Sequence, residues 1–439
     1  MKRLILSFVL LGASAWAEAV KDREGAVRAD RAAMENDKRW AYNDIESGFK
    51  QAQLTGKPLL VVLRCVPCLA CMGLDSAVLM QGGELEPLLD QFICVRVINA
   101  NALDLTRFQF DFDLSFSTLF FNGDGTVYGR YGSWTHQKNS ADATVKGYQK
   151  ALEAALEIHA EYPANKAQLA GKQGGPLPFV NPTDMPNLAG RYQRELDWDG
   201  KVVGSCIHCH MIGDSLRVSY REQKQPLPTE WIYPMPAPQT VGLTLAADEV
   251  ARVLEVKEGS AAAAAGLQPG DVLMSLAGQR LVSTADVSWI LHRTPEAATE
   301  LDVLVGRGGQ KVPVKLALAE GWKLETDNSA RVSAWSMRAM ALGGLILVDL
   351  TDAERQTRGL STQGMALWVK GMGMHGRHGA AKKAGFQKED VIVELDGLTN
   401  RHTESRVMGH LLKNKMAGEE VSVRVLRGDQ SKTLMLPMQ

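Results

Sequence analysis

The sequence predicts a multidomain chain in which an α/β domain is followed by a loop-rich segment and by two β-rich domains. Its 439 residues are enough for about three domains. Strand and helix patterns alternate from about residue 40 to residue 160, which indicates a layered α/β unit. After a stretch rich in Pro, Gly and Asn, one β-rich pattern occurs twice, which indicates a duplicated domain.

The elements of the α/β domain follow from hydrophobic periodicity. A run of consecutive apolar residues such as Leu59-Leu60-Val61-Val62-Leu63 is typical of a buried strand. Apolar residues three or four apart, as at Ile45, Phe49 and Ala52, predict a helix. The predicted order is a helix over 45–52, a strand over 59–63, a helix ending near 80, strands over 92–97, 118–121 and 127–131, and a helix over 143–160.

The duplicated region begins after a loop-rich segment over 161–229. Residues 265–272 read Ala-Gly-Leu-Gln-Pro-Gly-Asp-Val and recur at 384–391 in a degraded form, 119 positions later. A single long spacing of this kind indicates two copies of one domain rather than a solenoid, whose period would be about 20–50 residues. We therefore predict β-rich domains over 230–320 and 335–439.

The chain begins with the pattern of an export signal. Met1-Lys2-Arg3 is followed by an apolar stretch from Leu4 to Leu11 and by small residues that end at Ala17. This order is typical of a secretory signal peptide, so we expect residues 1–17 to be removed. The apolar stretch is too short to span a membrane. We expect a soluble protein in the periplasm or another extracytoplasmic compartment.

The charge balance excludes two classes of partner. The chain has 49 Lys and Arg residues against 50 Asp and Glu residues, and its formal net charge is −1. A nearly neutral chain has no electrostatic reason to bind nucleic acid or an anionic membrane surface. The oligomeric state does not follow from the sequence.

The first of two cysteine clusters reads Cys65-Val-Pro-Cys68-Leu-Ala-Cys71. Because a strand is predicted before it and a helix after it, Cys68 falls at a helix N-terminus, where N–H groups stabilise a thiolate. Cys71 follows one turn later, and this arrangement suits thiol–disulfide exchange. Cys65 adds a third sulfur, so a metal site and an inert disulfide are the alternatives. Cys94, inside an apolar strand, is predicted to be a core residue.

The second cluster reads Cys206-Ile-His-Cys209-His210. It matches the pattern for covalent haem c, in which two cysteines form thioethers and the adjacent His210 binds the iron. One alternative is a zinc or copper site that uses Cys206, His208, Cys209 and His210. The other is a second dithiol or disulfide. The cofactor prediction is therefore haem c, or otherwise a zinc or copper site or none.

Residues 40–160 resemble the thioredoxin fold family. Lys57-Pro58 leads the predicted strand into the Cys-x-x-Cys motif at the position usual in that family. The resemblance implies a thioredoxin-like α/β fold in which Cys68 is the attacking thiol and Cys71 the resolving thiol.

The sequence departs from the thioredoxin pattern at three points. Pro67 stands where the family usually has Trp, and Val62 stands where many members have a buried acid. Ser117 precedes Thr118 where a cis-proline is expected. In the family that proline restrains the substrate and keeps metal from the thiols, so its absence opens the site to metal.

The duplicated region resembles PDZ domains of the periplasmic kind. The signature at 265–272 carries the resemblance, whereas the second copy has Lys388-Glu389 in place of Pro-Gly. The resemblance implies peptide grooves edged by Gly242-Leu243-Thr244-Leu245 and by Gly364-Met365-Ala366-Leu367, to which a chain end adds as a strand. PDZ pairs of this kind often accompany a serine protease. The sequence has no Gly-x-Ser-x-Gly motif and no trypsin-like serine context, so we predict that the protein is not a serine protease.

The whole arrangement resembles a bacterial thioredoxin–PDZ protein family, some members of which carry selenocysteine in the redox motif. The resemblance implies an exported thiol–disulfide oxidoreductase or redox sensor whose PDZ domains recruit protein or peptide clients. Two alternatives stay open. One is electron transfer through haem c coupled to a dithiol, and the other is a non-enzymatic PDZ scaffold with structural or metal-binding cysteines.

Overall fold

The computed structural model describes residues 22–35, 37–67, 72–133 and 142–439. The predicted signal peptide and the predicted catalytic pair Cys68 and Cys71 lie outside these residues. Within the described part of the chain, no helix is both long enough and apolar enough to cross a membrane.

The described chain forms two units. The first contains the described residues up to Ile212 together with Gly242–Ile290 and Leu301–Leu316. The second contains Gly213–Val241, Leu291–Glu300 and Ala317–Gln439. The domain boundaries given above stay predictions.

The first unit begins with a five-stranded mixed sheet. Its strands are β1 (Trp40–Tyr42), β2 (Leu59–Arg64), β3 (Ile93–Val97), β4 (Phe116–Phe121) and β5 (Val127–Gly132). They lie in the order β1-β3-β2-β4-β5. The pairs β1–β3 and β3–β2 are parallel, and the pairs β2–β4 and β4–β5 are antiparallel. Every residue of β2 is buried, as the apolar run predicted.

Helices flank this sheet, and local sequence explains where they begin and end. The carboxylate of Asp44 accepts a hydrogen bond from the N–H of Ser47 at the start of the second helix. That helix ends at Gly56, which has the left-handed conformation that glycine adopts without strain. The helices are α1 (Arg23–Glu35), α2 (Ile45–Thr55), α3 (Met72–Leu79), α4 (Glu86–Leu89) and α5 (Val145–Ala160). The predicted α/β fold is confirmed.

The loop-rich segment contains short helices, and the first β-rich domain follows it. The segment includes 3-10 helices at Lys166–Lys172 and Pro182–Asp184, then α6 (Cys209–Glu222) and α7 (Thr229–Ile232). The β-rich domain has β6 (Leu243–Leu245), β7 (Val253–Val256), α8 (Ala261–Ala264), β8 (Val272–Leu276), β9 (Gln279–Arg280), α9 (Thr284–Arg293), β10 (Thr299–Arg307) and β11 (Gln310–Leu318). Strands β6 and β7 form one small sheet, and β11-β10-β8-β9 form another.

The second unit contains the second β-rich domain. Its elements are α10 (Ala334–Leu342), β12 (Leu345–Asp349), α11 (Asp352–Thr357), β13 (Leu367–Met372), α12 (Ala380–Lys383), β14 (Val391–Leu395), α13 (Glu404–Asn414), β15 (Glu420–Arg427) and β16 (Gln430–Pro437). The strands form one antiparallel sheet in the order β12-β13-β14-β15-β16.

The two β-rich domains repeat the same ion pair between a buried aspartate and a partly exposed arginine. In the first, Arg307 Nε donates to Asp271 at 2.7 Å, and in the second, Arg427 Nε donates to Asp390 at 2.7 Å. Each aspartate belongs to one copy of the sequence signature and is almost fully buried. The duplication inferred from the sequence is thus present in the structure, and it includes the arginine that pairs with the aspartate of each signature.

A buried ion pair lies inside the first unit. Lys172 Nζ lies 2.6 Å from the carboxylate of Asp286, and both side chains are fully buried. The same carboxylate accepts hydrogen bonds from the backbone N–H groups of Val282 and Arg130. The pair therefore joins the 3-10 helix Lys166–Lys172 to the start of α9.

We expect Lys172→Met to destabilise the first unit by about 3–5 kcal/mol, because it leaves the Asp286 carboxylate buried without a countercharge. Lys146→Met is the matched control, since Lys146 pairs with Asp248 at 3.0 Å with both side chains about half exposed. An exposed pair of this kind is worth about 0–1 kcal/mol. The midpoint of urea unfolding measures both effects. Equal shifts for the two variants would contradict the assignment.

Candidate functional site

A cleft in the first unit contains residues from both cysteine clusters. It lies between the end of β2 with its following loop and the segment that precedes α6. Its apolar wall includes Val27, Ile98, Leu196 and Val202, which form one small buried cluster. Its polar lining residues are Arg64, Cys65, Cys206, His208 and Cys209.

Cys65 is held at this cleft by its backbone and by its neighbour. The N–H of Cys65 donates to the carbonyl oxygen of Ser115 at 2.8 Å, which continues the pairing of β2 with β4. Arg64 donates to the carboxylate of Asp75 at 2.9 Å and to the carbonyl oxygen of Cys65. Asp75 also binds the fully buried Arg96. Although burial acts in the opposite direction, these guanidinium groups lower the pKa of Asp75.

The two clusters meet through Cys65 and His208. The Sγ atom of Cys65 and the Nδ1 atom of His208 lie 3.0 Å apart, within hydrogen-bond distance. Burial lowers the pKa of His208, and the charges of His210 and Arg23 lower it further. A neutral imidazole can accept a proton or bind a metal ion. The sequence analysis treated the clusters as separate because 143 residues separate this pair along the chain.

Cys206 and Cys209 carry free thiols in this structure. The Cys206 thiol lies 3.6 Å from the carbonyl oxygen of Ile98. Burial, with a smaller effect of Cys65, raises the pKa of Cys206 to about 12. Burial also raises the pKa of Cys209, which begins α6. At neutral pH both groups are therefore neutral thiols.

Asn101 positions the second cluster, and the sequence analysis missed it. Its side-chain amide donates to the carbonyl oxygens of Gln193 and Ser205, at 2.7 and 2.8 Å. Its side-chain oxygen accepts a hydrogen bond from the N–H of Ile207 at 2.7 Å. Asn101 is fully buried, so each of these bonds is sheltered from water. A single asparagine in a loop gives no pattern from which this role could be inferred.

The remaining predicted residues are placed as follows. Cys94 is buried in β3, as predicted for a core residue, and burial raises its pKa to about 12. His210 lies in the first turn of α6, and its ring stacks on that of His208 with centroids 5.9 Å apart. Among the residues that the structure describes, no three His, Cys, Asp or Glu side chains are close enough to hold a metal ion. The cofactor and metal assignments, including that of His210, stay predictions.

The first β-rich domain has a strand edge at β6 that pairs with no other strand of the described chain. The carbonyl oxygen of Gly242 accepts from Lys257, and the N–H of Ala246 donates to Arg252, so both face β7. Because hydrogen bonding alternates along an antiparallel strand, the N–H and carbonyl groups of Leu243 and Leu245 face away from β7. In the described chain β6 and β7 form a two-stranded sheet, so no further strand covers this edge.

The second β-rich domain has its equivalent edge at β12, not at Gly364-Met365-Ala366-Leu367 as predicted. Residues 364–366 lead into β13, which is paired with β12 on one side and with β14 on the other. The chain takes 22 residues from Leu245 to Leu267 but 39 from Leu347 to the equivalent Phe386. Helix α11 and its flanking loop account for this extra length. Because of it, the edge strand of the second copy was placed too late in the sequence.

Models of known families match three parts of the chain. A thioredoxin-like model matches residues 40–123, and PDZ-domain models match residues 252–305 and 376–438. The chain therefore contains a thioredoxin-like domain followed by two PDZ domains. The finer resemblance to a thioredoxin–PDZ family with selenocysteine-containing members is not confirmed by these matches.

Curated relatives are periplasmic serine endoproteases. A probable DegP-like endoprotease of Pseudomonas fluorescens is 28% identical over 179 residues, which are 40% of this chain and 35% of the relative. One from Ectopseudomonas mendocina is 30% identical over 184 residues, again 40% of this chain and 35% of the relative. The pH-dependent endoprotease DegQ of Escherichia coli is 30% identical over 186 residues, 42% of this chain and 35% of the relative. The chain thus spans about a third of the length of these relatives.

Solved structures give a weaker likeness. The HtrA-type protease AlgW with a decapeptide is 18% identical, covers 31% of this chain and 48% of its own, and superposes with a TM-score of 0.21. A score this low supports no argument about the chain.

The curated relatives contradict the predicted function. They are serine endoproteases, so the predictions of an oxidoreductase, a redox sensor, a haem c electron carrier or a non-enzymatic scaffold are wrong. The prediction that the protein is not a serine protease is contradicted by the same relatives. The cysteine spacings dominated that interpretation because they are the most distinctive short motifs. A short motif describes a local site, whereas the similarity to the endoproteases extends over 40% of the chain.

We expect iodoacetamide at about pH 8 to leave Cys206 and Cys209 unmodified in the native protein. Burial raises both pKa values, so almost no reactive thiolate is present. After unfolding without a reductant, both should be modified, because both are free thiols. Peptide mass spectrometry measures the modification. The matched control is the buried Cys94, whose raised pKa should keep it unmodified in the native protein as well.

Two outcomes would contradict this expectation. Cys206 is half-buried and lines the cleft, so its fast modification in the native protein would show that its pKa is not raised. Failure to modify Cys206 and Cys209 after unfolding would show that their sulfur atoms are in covalent bonds.

Proposed function

We propose that this chain works in periplasmic serine endoproteolysis, where a PDZ domain captures the polypeptides that are to be degraded. The observation that carries the proposal is the similarity to DegP-like and DegQ endoproteases over 179–186 residues. That length is close to the span from residue 252 to residue 438 covered by the two PDZ matches. The similarity therefore supports a shared way of binding polypeptide more directly than a shared catalytic centre.

The proposed compartment is the periplasm. The curated relatives are named as periplasmic proteins. The N-terminal sequence Met1-Lys2-Arg3, followed by an apolar stretch, predicts export to the same compartment. Unfolded exported chains expose apolar segments, and these are the ligands that a protein of this kind must recognise.

The unpaired strand edge of β6 supports peptide capture by strand addition. The outward N–H and carbonyl groups of Leu243 and Leu245 can pair with the backbone of an extended peptide, which gives affinity without a particular sequence. Gly242, at the start of the edge, has a φ of 91°, a backbone conformation that other residues adopt only with strain. Leu243 and Leu245 are each almost fully buried, so an added peptide must first displace what covers their outward backbone groups. A client end with apolar side chains fits such an edge.

The test uses a fluorescein-labelled decapeptide with three apolar C-terminal residues and the full chain without residues 1–17. We expect saturable binding, measured by fluorescence anisotropy. N-methylation of peptide N–H groups at alternate residues should weaken binding about tenfold, because only every second residue of an added strand faces β6. N-methylation at the residues between them is the matched control and should have a much smaller effect.

Two results would contradict the proposal. The first is the absence of binding to any of the labelled peptides. The second is an equal loss of affinity for N-methylation at both sets of alternate residues, since strand addition requires one set to face away from the domain.

A further inference from the structure

The outward edge of β12 is hydrogen-bonded to a side chain of its own domain. In the second PDZ domain, Gly344 and Leu350 pair with β13, so Leu345 and Leu347 face away from that strand. The N–H of Leu347 donates to the Oε1 atom of Glu404 at 2.7 Å. Glu404 is the first residue of α13, and only 4% of its surface is exposed. The Glu404 carboxylate therefore already accepts the hydrogen bond from the Leu347 N–H, a donor that an added peptide strand would need.

An arginine holds the Glu404 carboxylate in this position. Arg338 of α10 donates from Nε to Oε1 at 2.9 Å and from Nη2 to Oε2 of Glu404. Its Nη2 atom also donates to the carbonyl oxygen of Ser329 at 3.0 Å. A bidentate pair between two largely buried side chains keeps its geometry better than an exposed pair does. The pair therefore links α10 to the start of α13.

Helix α10 covers the same region with apolar side chains. It packs against both β12 and α13. Met337 and Met340 of α10 are buried in one cluster with Leu347 of β12 and Leu411 of α13. A peptide in a PDZ groove lies between an edge strand and a helix. In this domain the strand is β12 and the helix is α13, and α10 packs against both.

The internal repeat shows that this closure is specific to the second domain. Thr284 and Thr403 are equivalent in the two copies, so the residue equivalent to Glu404 is Ala285. The equivalent of Leu347 is Leu245, since each is the third residue of its edge strand. An alanine side chain cannot accept a hydrogen bond from the Leu245 N–H. The equivalent backbone donor is therefore bound by a helix carboxylate in the second copy, and the equivalent helix residue of the first copy offers no such acceptor.

We infer that the second PDZ groove is closed by Glu404, Arg338 and α10 of its own domain. The peptide-binding surface of this chain is accordingly the β6 edge of the first PDZ domain, and its ligand is an extended, apolar peptide segment. This inference rests on the proposed function for the identity of the ligand. The closure of the second groove stands on the geometry alone and is tested separately from peptide binding.

Hydrogen exchange of the wild-type protein tests the closure without any ligand. We expect the Leu347 amide to exchange at least about 100-fold more slowly than the Leu245 amide, because only the Leu347 amide is bound to a buried carboxylate. NMR or fragment-resolved mass spectrometry measures both rates. Similar rates for the two amides would overturn the inference whether or not a peptide binds.

Peptide stoichiometry tests which groove is used. Titration calorimetry with the decapeptide described above should give one site per wild-type chain and two sites for Arg338→Ala/Glu404→Ala, which removes both partners together and leaves no unpaired charge. The matched control is Glu394→Ala/Arg424→Ala. It removes an ion pair of 2.8 Å that is more than one-third exposed in the same domain, and it should keep one site.

The outcomes separate the two proposals. Two equivalent sites in the wild-type chain would overturn the closed groove and leave the proposed function standing. No site in the wild-type chain would overturn the proposed function and leave the exchange rates to decide on the closure. If circular dichroism shows that the double variant does not fold, Glu404→Gln replaces it. This variant keeps an oxygen acceptor for Leu347, so we expect one site and a still-protected amide, and loss of that protection would count against the closure.

Discussion

A buried charge must be compensated by opposite charges or by hydrogen bonds, and this constraint determines how several segments of the chain are held. Transferring a charged group from water to the protein interior costs more free energy than one contact returns. Each buried charge is therefore paired or hydrogen-bonded within the protein. Arg96 is fully buried between Asp30 and Asp75. Because Asp75 also binds Arg64, the same network fixes the end of β2, where the cleft begins. Lys172 and Glu404 obey the same constraint with Asp286 and Arg338.

The two PDZ domains show how one fold acquires two surfaces. Their signatures, their Asp–Arg pairs and their edge strands correspond, so the framework is the same. A single carboxylate at the start of one helix differs, and the arginine on α10 makes its burial stable. The main-chain edge that strand addition requires is therefore present in both copies, and in the second copy Glu404, held by Arg338, binds one of its donors. Binding surfaces in duplicated domains can diverge in this way without any change of fold.

Local patterns predicted the fold well and the sites less well. The apolar run at 59–63 gave a strand that is buried throughout. This feature depends on neighbours in sequence. The contact of Cys65 with His208 and the role of Asn101 depend on residues about 100 or more positions apart, and no periodicity records such a pairing. The groove of the second domain was misplaced because α11 and its flanking loop lengthen the connection after β12.

By itself, the sequence determined the order of the domains, the thioredoxin-like and PDZ folds, and the duplication. Hydrophobic periodicity and a repeated turn signature, which act over a few residues, gave the element pattern and the duplication, whereas the two fold types followed from the family resemblance. Only the tertiary structure decided that both cysteine clusters share one cleft, that Asn101 holds the second cluster, and that Glu404 closes the edge of β12. The physical reason is that hydrogen bonds and ion pairs between distant residues depend on distance in space, which the order of residues along a chain does not specify.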